Sequence, residues 1–215
     1  MLSRNYTPLR DSAEVGAFVI LEGPSAIGKS TLAVEVAQRL GGASIHTVPD
    51  PHVAWCATVN RELRALPQFG FYLSGLLHSA DLIRRHRRIG PVVADRYVSS
   101  VVACHAAVNR VSLRQVQQLM QPFAEYLETP DATFYLRCSL STLAERMQAK
   151  LHSNAATADD VALFSKPGRL VDVMAGFEEL ASEDPTAVIL DTDDRTPQQI
   201  ADRIVSHLKA QGAAD

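Results

Sequence analysis

The sequence predicts an α/β fold: a five-stranded parallel sheet flanked by helices, with a short lid segment. Three observations predict it. Short, apolar, β-branched runs alternate with longer amphipathic segments, the pattern of strands joined by right-handed helical crossovers. The runs are continuously apolar, as strands covered on both faces are. The first run ends in a glycine-rich turn that opens directly into a helical pattern.

Taken from the amino terminus, residues 1–15 (MLSRNYTPLRDSAEV) mix charge, proline and polar groups. They lack the apolar stretch of a signal peptide and read as a flexible extension before a single domain at 16–211. Strands are predicted at Phe18–Leu21, Ser44–Val48, Pro91–Ala94, Thr133–Leu136 and Val188–Leu190. Helices are predicted at Lys29–Leu40, Phe71–Arg88, Ser99–Asn109, Leu113–Glu128, Ser141–Leu151, Leu170–Ser182 and Pro197–Gln211. The last opens with Thr196 as N-cap and Pro197 at the first helical position. His152–Gly168, rich in Ala, Ser, Asn and Asp and ending in Pro-Gly, reads as a mobile loop. The lid is placed at about 147–168, a range that takes in this stretch.

Composition narrows the function. A net charge of −3 argues against a dedicated nucleic-acid or membrane binder. No apolar run approaches the ~20 residues of a membrane span. Cys56, Cys104 and Cys138 are odd in number and form no CxxC pair, which points to reduced thiols in a cytoplasmic protein rather than a disulfide framework or zinc ribbon. The seven histidines show no HxxxH or HExxH spacing, so metal ligation by histidine is not indicated.

Gly23-Pro24-Ser25-Ala26-Ile27-Gly28-Lys29-Ser30 matches GxxxxGK[ST] in full, with Thr31 continuing into the helix. Glycines let the backbone curl so that its N–H groups face phosphate oxygens, and the helix N-terminus adds favourable partial charge. The P-loop NTPase fold follows, with ATP and Mg²⁺ as the expected ligands. Gly23, Ser25, Ala26, Ile27, Gly28, Lys29, Ser30 and Thr31 are candidate nucleotide-binding residues. Lys29 is expected to reach the β- and γ-phosphates and Ser30 to ligate Mg²⁺.

Asp95 ends the strand Pro91–Ala94, at the sheet edge where ligands bind in parallel α/β folds. It is placed to hold Mg²⁺ or to orient the attacking hydroxyl; the alternative is a helix N-cap. Arg96 offers a fork suited to phosphate. Asp50, in Val48-Pro49-Asp50-Pro51, lies at the same predicted edge; it is either a second functional acid or part of a simple turn.

Asp95-Arg96-Tyr97-x-x-Ser100-x-x-Ala103 resembles the DRYxxSxxA signature of thymidylate kinases. Phe18-Val19-Ile20-Leu21-Glu22-Gly23 resembles that family's opening strand. Pro130–Leu136 with Leu143-Ala144-Glu145-Arg146 is similar to its fourth strand and lid entrance, and Arg169–Pro185 to the helix after the lid. The resemblance runs from about residue 16 to 208. It implies ATP-dependent phosphoryl transfer to a nucleoside monophosphate, with Arg146 brought onto the transferring group, Thr192 and Asp193 near adenine, and a homodimer. A sister family competes, since Val48-Pro49-Asp50-Pro51…Trp55-Cys56 looks like the VPEP…WC segment of deoxynucleoside kinases. In that family the acid is the general base on a 5′-hydroxyl, which makes Asp50 a candidate catalytic residue of a nucleoside or specialised-metabolite kinase.

The departures cluster around the acceptor. Ser25 stands where thymidylate kinases carry Asp, and Cys104 where they carry a Tyr near the sugar. His78 and Leu82 align with a base-stacking aromatic and a phosphate-binding Arg; Arg84 or Arg85 reaches the acceptor only if the helix is rotated or shifted. Phe71 and Tyr72 either stack on a base or join the core, and Trp55 belongs either to the core or to the acceptor pocket. Ser100, Arg96 and Asp50 complete the acceptor candidates. The run Arg84–Arg88 reads as the solvated, dipole-favoured end of a helix. A third reading, a regulatory nucleotide-binding ATPase, lacks its usual motifs: there is no NKxD, and Leu73-Ser74-Gly75-Leu76 is not an LSGGQ signature.

Overall fold

The computed structural model describes residues 6–8, 16–166 and 168–212; residues 1–5 and 9–15 of the expected N-terminal extension lie outside the described residues. The strands are β1 (Phe18–Glu22), β2 (Ala43–His46), β3 (Val92–Asp95), β4 (Ala132–Arg137) and β5 (Ala187–Asp191). All pair in parallel, in the order β2-β3-β1-β4-β5. The helices are α1 (Lys29–Arg39), α2 (Cys56–Glu62), α3 (Ala65–Arg87), α4 (Val98–Asn109), α5 (Leu113–Met120), α6 (Leu140–His152), α7 (Ala158–Ser165), α8 (Arg169–Glu183) and α9 (Pro197–Ala210).

Side chains alternate across the pleat into two cores. Phe18, Ile20, Val92, Ala94 and Tyr135 join α3, α4 and α8 on one face. Val19, Leu21, Val93, Phe134 and Leu136 join α1, α6 and α9 on the other. All five β1 residues are therefore buried, and the first four, Phe18–Leu21, read as an unbroken apolar run for that reason. The helix after β1 lies on one face and the helix after β3 on the other. The two connections diverge and leave a crevice between neighbouring strands at their carboxyl ends, the usual ligand position in such sheets.

Several expected boundaries shift. β2 stops at His46 rather than Val48: the Thr47 N–H makes a last rung to the Asp95 carbonyl (3.3 Å), the Val48 N–H turns back to His46 Nδ1 (3.1 Å), and Pro49 has no N–H to continue the ladder. α3 starts six residues early, at Ala65, with Pro67 tolerated in a first turn whose amides have no intrahelical partner. The helix expected to run from Leu113 to Glu128 stops at Met120 and tightens into a 3₁₀ turn, Gln121–Tyr126, in which Pro122 lacks the N–H an α-helix needs. The segment read as a mobile loop contains α7. A capping box starts it: Thr157 accepts from the Asp160 N–H, and Asp160 accepts from the Thr157 N–H at 2.8 Å.

Candidate active site

The phosphate loop leaves β1 at Glu22 and ends in α1. Gly23 has φ 142°, and a Cβ there would lie 2.7 Å from the Leu136 carbonyl oxygen. Only glycine permits both the turn and the close approach of β4. Gly28, at φ 105°, starts the helix. Lys29 is buried, and its Nζ donates to the Pro24 carbonyl at 2.6 Å, which folds the ammonium back over the loop. Burial, reinforced by the Arg96 guanidinium, pushes the Lys29 ammonium down to about 7; Asp95 and Glu22 pull the other way.

Asp95 and Leu21 are register partners, so β3 delivers its acid beside the loop. Ser30 Oγ donates to Asp95 Oδ2 at 2.6 Å. Asp95 Oδ1 is buried with no hydrogen-bond partner among the described residues. A buried carboxylate oxygen left bare beside a serine hydroxyl is a pair of hard oxygen donors, the chemistry that suits a divalent cation. Arg96 takes a left-handed backbone, φ 72°. Its guanidinium donates to the Gly23 carbonyl at 3.2 Å and to the Ser25 and Ser100 hydroxyls, each at 3.1 Å. Lys29, Ser30, Asp95, Arg96, Ser25 and Ser100 therefore converge around the phosphate loop.

The acceptor candidates divide. Asp50 is exposed on the loop after β2. The His52 ring lies between Phe71 (centroids 5.6 Å) and His78 (5.7 Å) and is bonded through Nε2 to the Ser74 hydroxyl at 3.1 Å. His78 and Phe71 thus share a wall with a histidine that sequence reasoning passed over. Gly75 packs beside that ring, at a spacing where a Cβ would make an ordinary contact of 3.7 Å with it. Trp55, at 61% exposure, is not core. Tyr72 packs on the core and donates to Asn60 Oδ1 at 2.9 Å, within a network in which Gln68 links the Asn60 side chain (2.8 Å) to that of Asn109 (2.9 Å). Cys104 is half-buried on α4, one turn beyond Ser100.

Two expectations need correction. Arg84 does not reach an acceptor. It is buried, bonded to Glu128 (2.7 Å), to Asp81 (3.2 Å) and to the Tyr126 carbonyl. One turn on, Arg87 bonds the Gly16 carbonyl, ahead of β1. This end of α3 therefore lies at the amino-terminal edge of the sheet, opposite the phosphate loop. The run Arg84–Arg88 is accordingly not all solvated: Arg84 and Arg87 form a structural ion-pair cluster with Asp81, Glu128 and Asp131. Arg146 also differs from expectation. Its guanidinium bonds the Ile27 carbonyl (3.2 Å) and both the hydroxyl (2.8 Å) and carbonyl (2.7 Å) of Thr192. It ties the phosphate loop to the chain after β5 instead of pointing free toward a transferring group. Asp193 accepts the Ser139 N–H at 2.9 Å and so helps cap α6. Of the basic residues around the lid, Lys150 is paired to Asp160 at 2.6 Å.

Glu22 is the residue whose importance the sequence reading missed. It is 1% exposed, and its carboxylate accepts from the N–H groups of Tyr97 (2.8 Å) and Ser100 (3.2 Å) and from the Ser100 hydroxyl. It caps α4 from another strand. Burial raises its proton affinity, against the pull of Ser100 and Arg96. The signal was present: an acid closing an otherwise apolar buried strand requires built-in partners.

No curated protein matches the sequence at a significant level. Among solved structures, a thymidylate kinase from Candida albicans superposes with a TM-score of 0.75 at 17% identity, covering 95% of this chain and 96% of that one. A deoxyadenosine kinase from M. mycoides superposes at 0.67 with 15% identity, covering 90% and 99%. Both likenesses establish the fold. The family model for thymidylate kinase matches residues 21–204, from the end of β1 into α9. The chain belongs to the thymidylate kinase family, ATP-dependent enzymes that transfer a phosphoryl group to a nucleoside monophosphate.

Proposed function

We propose that this transfer runs at the crevice between β1 and β3, with Lys29 and Arg96 as the phosphate-binding cations and Ser30 with Asp95 as the Mg²⁺ site. The observation that carries the reading is the bare, buried Asp95 Oδ1 beside the Ser30 hydroxyl and the phosphate loop. Bound there, Mg²⁺ would neutralise charge on the transferring group. Lys29 and the amides of the loop hold the donor phosphates. Arg96, reaching across Gly23 to Ser25, lies between the loop and α4 and faces the incoming phosphate. Thr192 and Arg146 form the wall beside the donor base.

The acceptor lies between the loop after β2 and the middle of α3, against His52, Phe71 and His78. We propose a nucleoside monophosphate whose phosphate is held by Arg96, because α3 presents no guanidinium there: Leu82 packs against the core, and Arg84 is held at the far edge. The same observation favours a second reading, in which the acceptor is a hydroxyl and Asp50 its base. An ADP-release screen of nucleosides and nucleoside monophosphates side by side, with Lys29→Ala as the blank, separates the two. Release stimulated by one or more monophosphates and by no nucleoside is the expected result. Stimulation by nucleosides alone refutes the first reading.

A further inference from the structure

Glu22 takes no part in the transfer as assigned above, yet its carboxylate meets Arg96 by two routes. The first is through the backbone. Arg96 N–H donates to the Leu21 carbonyl at 3.0 Å, and the next N–H, of Tyr97, donates to Glu22 Oε1 at 2.8 Å. The last two residues of β1 thus grip both sides of a residue held at φ 72°, a conformation that persists only where its surroundings enforce it. The second route is through side chains. Glu22 Oε2 and Arg96 Nη1 both bond Ser100 Oγ, the latter at 3.1 Å. A guanidinium only donates, so the serine oxygen accepts from Arg96 and sends its own proton to Glu22. The relay has one direction, Arg96 to Ser100 to Glu22, and it ends on a group that only accepts. Aligned chains of this kind strengthen one another in a buried setting. The remaining guanidinium contacts, to the Gly23 carbonyl and the Ser25 hydroxyl, lie in the phosphate loop.

We infer that Glu22 is a positioning residue for phosphoryl transfer: through the Tyr97 amide and the Ser100 hydroxyl it aims the Arg96 guanidinium at the phosphate loop. The inference rests on the reading of Arg96 as a phosphate-binding cation. Glu22 touches no substrate and acts only through Arg96.

The test is steady-state kinetics on the full chain with Glu22→Gln, Ser100→Ala, Arg96→Lys and the two double variants that contain Arg96→Lys. Glu22→Gln keeps the shape but puts a donor where the serine proton must be accepted. A misaimed group in a transfer site costs up to about 10²-fold. That loss in kcat is expected for Glu22→Gln, and about 10-fold for Ser100→Ala, with KM for ATP changed less than about twofold. In the Arg96→Lys background no fork remains to aim, so Glu22→Gln is expected to cost less than about threefold more. Ser100→Thr, which keeps the hydroxyl, restores most of the loss of Ser100→Ala. Full kcat in Glu22→Gln, or the same loss repeated in the Arg96→Lys background, overturns the inference and leaves Glu22 a fold residue. If Glu22→Gln does not fold, the Ser100→Ala and Arg96→Lys pair decides by the same criterion. Unchanged kcat in Arg96→Lys itself refutes the reading of Arg96, and the positioning role with it. An impaired Arg96→Lys with independent Glu22 and Ser100 effects refutes the positioning role alone.

Discussion

Nucleotide binding should drag a proton onto Lys29. In the free protein the ammonium is buried and held down to about 7, so at pH 8 only about a tenth of molecules carry the charge. A triphosphate at Nζ supplies the anion that burial withholds and returns the group toward its ordinary 10.5. Binding at pH 8 should therefore take up about 0.9 proton, and at pH 6 only about 0.1. The drop from 10.5 to about 7 corresponds to roughly 5 kcal/mol held against the charged form, which the bound phosphates release. The assay is calorimetry with a non-hydrolysable ATP analogue and Mg²⁺ in HEPES and in Tris, whose ionisation enthalpies differ. The enthalpy difference between buffers yields the proton count. Lys29→Met is the control, with uptake near zero. Equal enthalpies in the two buffers for the wild type, or undiminished uptake in Lys29→Met, would show that Lys29 is already charged or is not the group concerned. The same depression fixes a sign for stability. Between pH 7 and 10.5 the unfolded chain binds a proton at this lysine that the native state does not, so ligand-free stability gains from this group as pH rises through that window. The gain is absent in Lys29→Met.

Three further outcomes follow from the geometry. Asp95→Asn should lower kcat by about 10²–10³-fold and raise the Mg²⁺ concentration needed for half-maximal turnover; an unchanged Mg²⁺ dependence would remove Asp95 from the metal site. Asp50→Asn should cost less than about tenfold if the acceptor is an ionised phosphate, whereas a loss of about 10²–10⁴-fold would mark it as the base on a hydroxyl. Arg84→Met leaves Glu128 and Asp81 without their buried partner and should cost about 3 kcal/mol in urea unfolding, with kcat per folded molecule unchanged; a fall in kcat at full stability would return Arg84 to the acceptor site.

The donor half of the site was legible because its parts are close in sequence and their roles are fixed by backbone geometry. Gly23 to Thr31 is one loop entering one helix, and Asp95-Arg96 is one strand end. Locating β1 and β3 therefore located the cations and the acid. Where the reading failed, the missing information was long-range. Arg146 carries no local sign that it will bond Thr192, 46 residues away. The partners of Glu22 lie 75 and 78 residues on, at the start of α4. α2 and α7 were missed because helices of 7 and 8 residues carry too few periods to stand out from loop composition.

The acceptor half shows why a resemblance alone misassigns cations. The expectation that Arg84 replaces a guanidinium missing at Leu82 treats two residues of displacement as small. On an α-helix it is not. Residues 78 and 82 share a face, offset by about 40°, whereas 84 is turned about 120° from 78 and lies about 9 Å farther along the axis. Arg85 recovers the phase, about 20° from His78, but lies about two turns beyond it. No rotation of α3 corrects both, because Leu76, Ala80 and Ile83 are fully buried and fix the helix against the sheet. The energetics agree, since turning Arg84 toward the cleft would strand Glu128 and Asp81 and pull Ile83 from the core. On the proposed reading the guanidinium for an acceptor phosphate is that of Arg96, held by β1 and α4, because the face of α3 that carries His78 and Leu82 offers none.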